Sequence, residues 1–416
     1  MLRMNTRLAQ TLAVTVFAAG CAQTPAPPPS TATVFEGARI IVGDGQTIEN
    51  GTLVVDGGTI TMVGTTASVQ VPAGATRVSL AGKTVMPAIV DAHVHTSTTA
   101  EDLEGDLRRR ARFGVGAALS LGLDGTDAAF EQRGKATPGL AQVFTAGRGI
   151  TSPEKGRTEV PYWVTTEAEA RQAVQELAAK KVDIVKIWVD DRDGQFKKLS
   201  PELYTALIDE AHSHGLRVTA HIFALEDAKG LLKAGIDSFA HGIRDRDIDD
   251  EIVEMFKAHP NVVLIPNMPD RGVAVDYSWL RGQIPDGELE KIQAASTDRP
   301  QAQEAFGIQA RNLAKLSAAG VTIAVGTDGN TPWAPHVEMA DMVASGMTPA
   351  QVIVAATRNA AAFVRVADTG TIEAGKKADF IVLDANPLDD ITNTRSISAV
   401  YLRGVAVERT MASPTP

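Results

Sequence analysis

Four histidines, a lysine and an aspartate have the types and the spacing of a site that binds two metal ions and activates water. They occur in the order H-x-H, Lys, His, His, Asp, and they are His93, His95, Lys186, His221, His241 and Asp328. Each lies at or near the end of a short apolar run. The C-terminal tips of the strands of an α/β barrel meet at one face, so ligands spaced in this way would converge.

The first two histidines are separated by one valine, directly after an apolar run. Because alternate side chains of a strand point to the same side, His93 and His95 can bind one metal ion. This pair alone is a weak signal, and His221 or His241 alone is a structural rim histidine as often as a ligand. Their joint occurrence at strand ends favours a single site.

Lys186 interrupts the apolar run Ile184–Trp188, which we expect to be buried. A buried lysine without a partner is unfavourable, so this residue needs an explanation. One possibility is that its stem packs while its ammonium reaches the rim. The other is that its neutral amine takes up CO2 and becomes an anionic carbamate that bridges two metal ions, since an ammonium has no lone pair to donate.

Asp328 follows the run Ile323–Thr327 and precedes Gly329. A carboxylate at the tip of the last strand can bind a metal ion and accept a proton from water. It can then pass the proton to a leaving group. Asp328 is therefore predicted to be both a metal ligand and the catalytic acid–base.

The elements that would position these residues alternate along the middle of the chain. Eight strands are predicted, at Val85–Val90, Ala117–Leu121, Val143–Ala146, Ile184–Trp188, Arg217–Ala220, Ile236–Ala240, Val262–Pro266 and Val321–Gly326. Helices are predicted between them, for example at Glu167–Ala179, Pro201–His212 and Ala302–Ala318. Eight alternations over roughly 270 residues indicate an α/β fold, a (β/α)8 TIM barrel. An open doubly wound sheet is the alternative, but it would not bring the ligands to one point.

Both ends of the chain instead have the residue pattern of short strands and turns. Residues 34–83 contain a D-G-G turn between apolar runs, which is typical of a hairpin, and residues 364–410 resemble them. We expect these two segments to pair into one small β-sandwich-like domain. Residues 84–363 would then form the metal-dependent hydrolase barrel.

The N-terminal residues predict export. Residues 1–20 have the pattern of a signal peptide, and Ala18-Ala19-Gly20-Cys21 is similar to a lipobox, which would leave Cys21 as a lipid anchor. A plain signal peptide is the alternative. Residues 21–33 form a Pro-rich tether, so we expect a periplasmic lipoprotein associated with the membrane. The net charge of −10 argues against nucleic acid as a partner, and a homo-oligomer stays open.

Together these motifs resemble the amidohydrolase superfamily, in its branch with two metal ions and a carboxylated lysine. The similarity is greatest to imidazolonepropionase-like and Xaa-Pro dipeptidase-like members. It rests on the motifs Met86–His95, Lys186, Ala220-His221, Ala240-His241-Gly242 and Gly326-Thr327-Asp328.

The resemblance implies a ligand set and a mechanism. His93, His95, Lys186 and Asp328 would hold the first ion, and Lys186, His221 and His241 the second, with zinc as the default metal. A hydroxide that bridges the ions would be the nucleophile, and Asp328 would shuttle its proton.

The resemblance also implies a small-molecule substrate. Such members commonly cleave the amide of dipeptides or N-acyl amino acids and hold the free carboxylate. Phe223 stands where some relatives have a tyrosine for that purpose, so Arg148, Arg157 and His336 are the predicted substrate contacts. A lactone, cyclic imide or phosphoester stays open as the substrate, as does an inactive binding protein on this fold.

Overall fold

The computed structural model of the protein describes residues 30–410. The predicted signal peptide, Cys21 and most of the Pro-rich tether lie outside the described residues. Within the described range, no helix has both the length and the apolar character needed to cross a membrane.

The two ends of the described chain form one eight-stranded sheet. Its strands are β1 (Thr33–Ile41), β2 (Thr47–Asp56), β3 (Thr59–Thr65), β4 (Thr76–Ser79), β5 (Thr84–Pro87), β16 (Phe380–Leu383), β17 (Ile397–Leu402) and β18 (Val405–Ala406). The strand order in the sheet is β18-β17-β16-β5-β1-β2-β3, with β4 paired to β1. Phe35, Phe380 and Tyr401 pack ring against ring in its core, with centroids 4.8–5.1 Å apart. The N-terminal and C-terminal segments thus complete each other.

The middle of the chain supplies the parallel strands of the barrel. They are β6 (Ile89–Val94), β7 (Val115–Ser120), β8 (Gln142–Thr145), β11 (Val185–Val189), β12 (Val218–Ile222), β13 (Ser238–Ala240), β14 (Val263–Ile265) and β15 (Thr322–Ile323). The short strands β9 (Ile150–Thr151) and β10 (Tyr162–Trp163) lie in the segment between β8 and β11. Backbone hydrogen bonds close the ring of strands at two places. Ala92 N, in β6, lies 2.9 Å from Val325 O, just beyond β15, and Asp183 N, just before β11, lies 3.0 Å from Thr145 O, at the end of β8.

Helices follow the strands. They are α1 (Ala100–Arg112), α2 (Ala128–Gln132), α3 (Glu167–Ala179), α4 (Pro201–Ser213), α5 (Leu225–Lys233), α6 (Asp250–Ala258), α7 (Asp286–Ala295), α8 (Pro300–Ala318), α9 (Ala334–Ala344), α10 (Pro349–Val354) and α11 (Ala360–Val364). A π-helical turn, Ala355–Asn359, joins the last two. Helix α3 has the predicted bounds because Thr166 and Glu169 form a reciprocal capping box at its start. Helix α4 begins where predicted because the Ser200 side chain accepts a hydrogen bond from Leu203 N.

Two predicted strands differ from the structure. The run Val85–Val90 is divided, because β5 pairs with β1 and β16 in the terminal sheet while β6 begins the barrel at Ile89. The last strand is shorter than predicted and ends at Ile323. Beyond it the backbone runs against His93 so closely that a Cβ at Gly326 would lie 2.8 Å from the Cβ of His93.

Candidate active site

The four predicted histidine ligands lie at the C-terminal ends of barrel strands, whereas Lys186 is the second residue of β11 and Asp328 lies five residues beyond β15. His93, Lys186 and His221 are within β6, β11 and β12, and His241 directly follows β13. The Asp328 carboxylate is central, since its Oδ1 lies 3.0 Å from His93 Nε2 and 2.9 Å from His95 Nε2, and its Oδ2 lies 3.4 Å from His241 Nε2. The ring of His221 is 4.5 Å from that of His241. The structure therefore brings the four histidines and Asp328 together, and the nearby Lys186 adds to burial in lowering the pKa of His93, His221 and His241.

Several buried polar atoms of this cluster have no hydrogen-bond partner within residues 30–410. They are His93 Nε2, His95 Nδ1, Lys186 Nζ and His241 Nδ1. The short distance between His93 Nε2 and Asp328 is a contact without hydrogen-bond geometry. Buried polar atoms are nearly always paired, so a group of unpaired ones calls for a ligand. His93, His241 and Asp328 offer three ligand atoms within 4.8 Å of one another, of the kinds that zinc prefers.

Lys186 is fully buried, and its Nζ lies 5.3 Å from the centre of the Trp188 ring. Its ammonium does not reach the rim, which removes the simpler of the two interpretations. Burial lowers the pKa of Lys186 to about 7, although the charge of Asp328 acts against it, and the nearby Arg192 adds to the lowering. The amine is thus available in its neutral form near neutral pH.

Three of the four histidines, His93, His221 and His241, are held as neutral rings. Burial lowers the pKa of His93 to about 4 and that of His221 to about 3, and neutral imidazole is the form that binds metal. His93 Nδ1 lies 2.9 Å from Asn267 Oδ1, which fixes the orientation of the ring. The backbone of Asn267 is left-handed, with φ of 44°, as is that of Asp328, with φ of 54°. Strained backbone of this kind concentrates at functional sites.

A buried ion pair connects the first and last strands beneath the site. Asp91 accepts hydrogen bonds from Thr327 N at 3.1 Å and from Thr327 Oγ1 at 2.8 Å, and Arg110 Nη1 lies 3.4 Å from it. Arg110 Nη2 also donates to Gly329 O at 3.0 Å. The backbone on both sides of Asp328 is therefore tied to the strand that carries His93.

Sequence reasoning missed the residues beside His221. Its Nε2 lies 2.8 Å from Asp190 Oδ2 and 2.9 Å from Arg192 Nη1, and these two side chains pair at 2.5 Å. Both follow β11 within the motif Asp190-Asp191-Arg192. Three charged residues directly after a buried strand were the signal that could have indicated them.

A cavity of about 320 Å³ opens onto the ligands. His95, His221, His241 and Asp328 form its floor, and its walls are Leu123, Thr151, Glu154, Arg157, Thr158, Pro161 and Trp188. Arg157 thus lies at the cavity as predicted, where its Nη1 donates to Glu154 Oε2 at 2.6 Å. The volume suits a small molecule.

The structure does not bring the other two predicted contacts to this cavity. Arg148 donates to the backbone oxygens of Val160 and Pro161, and its guanidinium stacks 4.0 Å from the Tyr162 ring. His336 is fully buried, with Nε2 2.9 Å from Phe113 O and Nδ1 3.1 Å from Thr394 Oγ1. Both side chains already use their polar atoms to hold the protein's own structure.

Comparison with known proteins leads to the same family as the motifs of the sequence. The model of the Amidohydrolase family matches residues 84–407. An imidazolonepropionase of Deinococcus radiodurans is 27% identical over 389 residues, which cover 87% of this chain and 93% of the relative. An ochratoxinase of Aspergillus niger is 26% identical over 429 residues, covering 86% of this chain and 82% of the relative.

Among solved structures, that of a proposed prolidase from Bifidobacterium longum superimposes with a TM-score of 0.77. It is 29% identical, and the match covers 93% of this chain and 97% of that one. These comparisons confirm the barrel with its small β-domain. Since the family model spans most of the chain, the protein belongs to the amidohydrolase family, as its ligand motifs predicted.

Proposed function

We propose that the protein is a two-metal hydrolase that cleaves the amide bond of a small substrate with a free carboxylate, a dipeptide or an N-acyl amino acid. The observation that carries this proposal is the cluster of unpaired buried atoms around Asp328. Hydrogen bonds alone leave these atoms unsatisfied, whereas metal ions would satisfy them.

We assign His93, His95, Lys186 and Asp328 to one ion and Lys186, His221 and His241 to the other, with zinc as the expected metal. When bound, such ions activate water as a nucleophile and polarise the carbonyl of the substrate. All of these side chains except His95 and Asp328 are almost fully buried, so the protein excludes bulk water from the ligand side of the site.

Lys186 would serve as a carbamate. The lone pair of the neutral amine adds to the carbon of CO2, one C–O π pair moves onto oxygen, and the nitrogen releases its proton to solvent. The fully buried Nζ, which has no hydrogen-bond partner among residues 30–410, supports this reaction, because a charged ammonium at this position would be buried without an acceptor for its three N–H groups.

Asp328 would take the proton of the attacking water and deliver it to the leaving nitrogen. Burial favours the protonated carboxyl, but the imidazoles of His93 and His95 prevail and hold the pKa of Asp328 well below its usual range. The carboxylate is therefore ionised and can accept a proton. Asp328 lines the cavity, which supports a position beside the substrate.

A ring-opening hydrolysis is the second candidate, favoured by the 27% identity with an imidazolonepropionase. A lactone, a cyclic imide or a phosphoester would be alternative substrates of the same site. An inactive binding protein is disfavoured because all six ligand positions hold residues that can bind metal.

The test combines metal analysis with a substrate panel. Purified protein supplied with zinc and bicarbonate should bind two ions per chain and hydrolyse dipeptides or N-acyl amino acids. Preference for lactones, cyclic imides or phosphoesters would support the second candidate. Failure to retain metal, together with inactivity on the whole panel, would refute the proposal.

We further propose, from the sequence alone, that the protein is exported and anchored in the periplasm through Cys21. A Cys21→Ala variant should lose incorporation of labelled fatty acid and move from the membrane fraction to the soluble one. Equal labelling of both proteins would exclude the anchor.

A further inference from the structure

Arg244 lies three residues after the ligand His241, in the loop between β13 and α6. Its backbone N donates to Phe223 O at 3.1 Å, and its guanidinium carbon lies 5.5 Å from the centre of the Phe223 ring. Its Nε is buried and has no hydrogen-bond partner. Residues 30–410 place no carboxylate within 4.0 Å of its guanidinium.

The other arginines near the site are already occupied. Arg157 pairs with Glu154, Arg192 pairs with Asp190, and Arg148 donates to backbone oxygens. Arg244 lies in the loop after β13, and its guanidinium has no carboxylate partner among residues 30–410. Its contacts with Phe223, two residues after His221, hold it close to the candidate ligands.

A guanidinium that is partly buried without a counter-ion is unfavourable unless an anion arrives to pair with it. Its planar fork matches a carboxylate with two parallel hydrogen bonds. The Phe223 ring is 36% exposed, which is unusual for a large apolar side chain, and it supports the guanidinium without neutralising it. This ring stands where a tyrosine would otherwise be available to hold a carboxylate.

We propose that Arg244 binds the free carboxylate of the substrate and that Phe223 orients the guanidinium for this contact. The inference rests on the proposed function, because it concerns the substrate of the same site. It names the side chain that would select, within that class, amides whose leaving amine carries a carboxylate. Dipeptides and N-acyl amino acids fit, whereas their C-terminal amides lack the charge that Arg244 requires.

The kinetic test uses the most active dipeptide of the panel and its C-terminally amidated counterpart. The release of the N-terminal amino acid is followed, and kcat/KM is compared as a ratio of free acid to amide. In Arg244→Gln this ratio should fall roughly 10- to 150-fold, the range expected when a hydrogen bond to a charged group is lost. The ratio in Arg244→Lys should lie between those of wild type and Arg244→Gln, because lysine keeps the positive charge but cannot form two parallel hydrogen bonds.

Arg246 provides a matched control. It lies in the same loop, is exposed and pairs with Asp245 at 2.7 Å. Arg246→Gln should keep the wild-type ratio. An equal ratio in wild type and Arg244→Gln would overturn the inference, as would a wild type that cleaves amides without preferring the free acid.

Binding gives a measurement that does not depend on turnover. Calorimetric titration with L-leucine, which keeps the carboxylate and has no amide to cleave, and with L-leucinol, which lacks the carboxylate, should show selectivity for the acid in wild type and none in Arg244→Gln. If wild type cleaves no amide yet binds the acid through Arg244, the proposed function fails and the anion site stands. If amides are cleaved but neither binding nor kcat/KM responds to Arg244, the anion site fails and the proposed function stands. If wild type neither cleaves amides nor binds the acid selectively, both fail.

Discussion

Asn267 offers the sharpest test of how the protein prepares its metal ligands. Its Oδ1 lies 2.9 Å from His93 Nδ1, and both side chains are buried. Removing the amide would leave the ring N–H of His93 without an acceptor in a dry environment, at a cost of about 1–3 kcal/mol. Partners of this kind are worth roughly 10- to 100-fold in metal affinity, which agrees with that energy.

The choice of substitution matters because the backbone of Asn267 is left-handed, with φ of 44°. Alanine would add backbone strain to the lost hydrogen bond, whereas glycine adopts this conformation readily. We therefore expect Asn267→Gly to weaken zinc binding roughly 10- to 100-fold. Asn267→Asp keeps an acceptor and adds negative charge, so it should bind zinc at least as tightly as wild type.

The assay is a competitive zinc titration against a chromophoric chelator, with thermal unfolding measured in parallel. Asn359 is a suitable control, since its Nδ2 donates to Ile323 O at 2.9 Å and it is also partly buried. Asn359→Gly should change stability and leave zinc affinity unchanged. If Asn267→Gly binds zinc within two-fold of wild type, the contact does not prepare His93 and the reasoning is refuted.

Three further predictions follow from buried charged or titratable groups. Lys186→Ala should reduce kcat at least about 100-fold, with partial recovery in formate or acetate, because a small carboxylate can occupy the place of the carbamate; full activity without added acid would contradict the assignment. Arg110→Gln should lower the free energy of unfolding by about 3–5 kcal/mol in urea, because it leaves Asp91 buried without its cation, whereas Arg108→Gln, on the same helix and paired with the exposed Glu104, should cost less than about 1 kcal/mol. Burial lowers the pKa of His336 to about 4, so its unfolded form binds protons first and stability falls as the pH drops from 6.5 towards 4. That loss should reach up to about 3 kcal/mol in wild type and be smaller in His336→Gln, and equal pH profiles would exclude this residue as the cause.

The convergence of the candidate ligands could be predicted from sequence because its signal is local. A buried strand followed by a polar residue is recognisable within a few positions, and the barrel then brings the strand ends together. Lys186 was informative for the same reason, since a lysine inside an apolar run is unusual wherever that run lies. The alternation of strands and helices identified the fold in the same way.

Substrate contacts could not be predicted in this way. Arg148, Arg157 and Arg244 all lie in loops of the active-site face, and composition does not separate them. What distinguishes them is which partner each one meets, such as Val160 O for Arg148 or the Phe223 ring for Arg244. Those contacts depend on loop conformation, so sequence reasoning chose Arg148 and missed Arg244.

The short passage between the two domains has a practical consequence. β5 ends at Pro87 in the terminal sheet, and β6 begins only two residues later, at Ile89, on the way to His93. Across from β5, Met86 is paired with Ile381, and Ala88 N donates to Asp379 O. A fragment trimmed to the barrel would lose β16, the C-terminal strand that pairs with β5 and so holds the segment between β5 and β6 in place. Expression trials and fusion designs should therefore keep the chain intact through β18, because the catalytic half depends on a scaffold assembled from sequence far downstream.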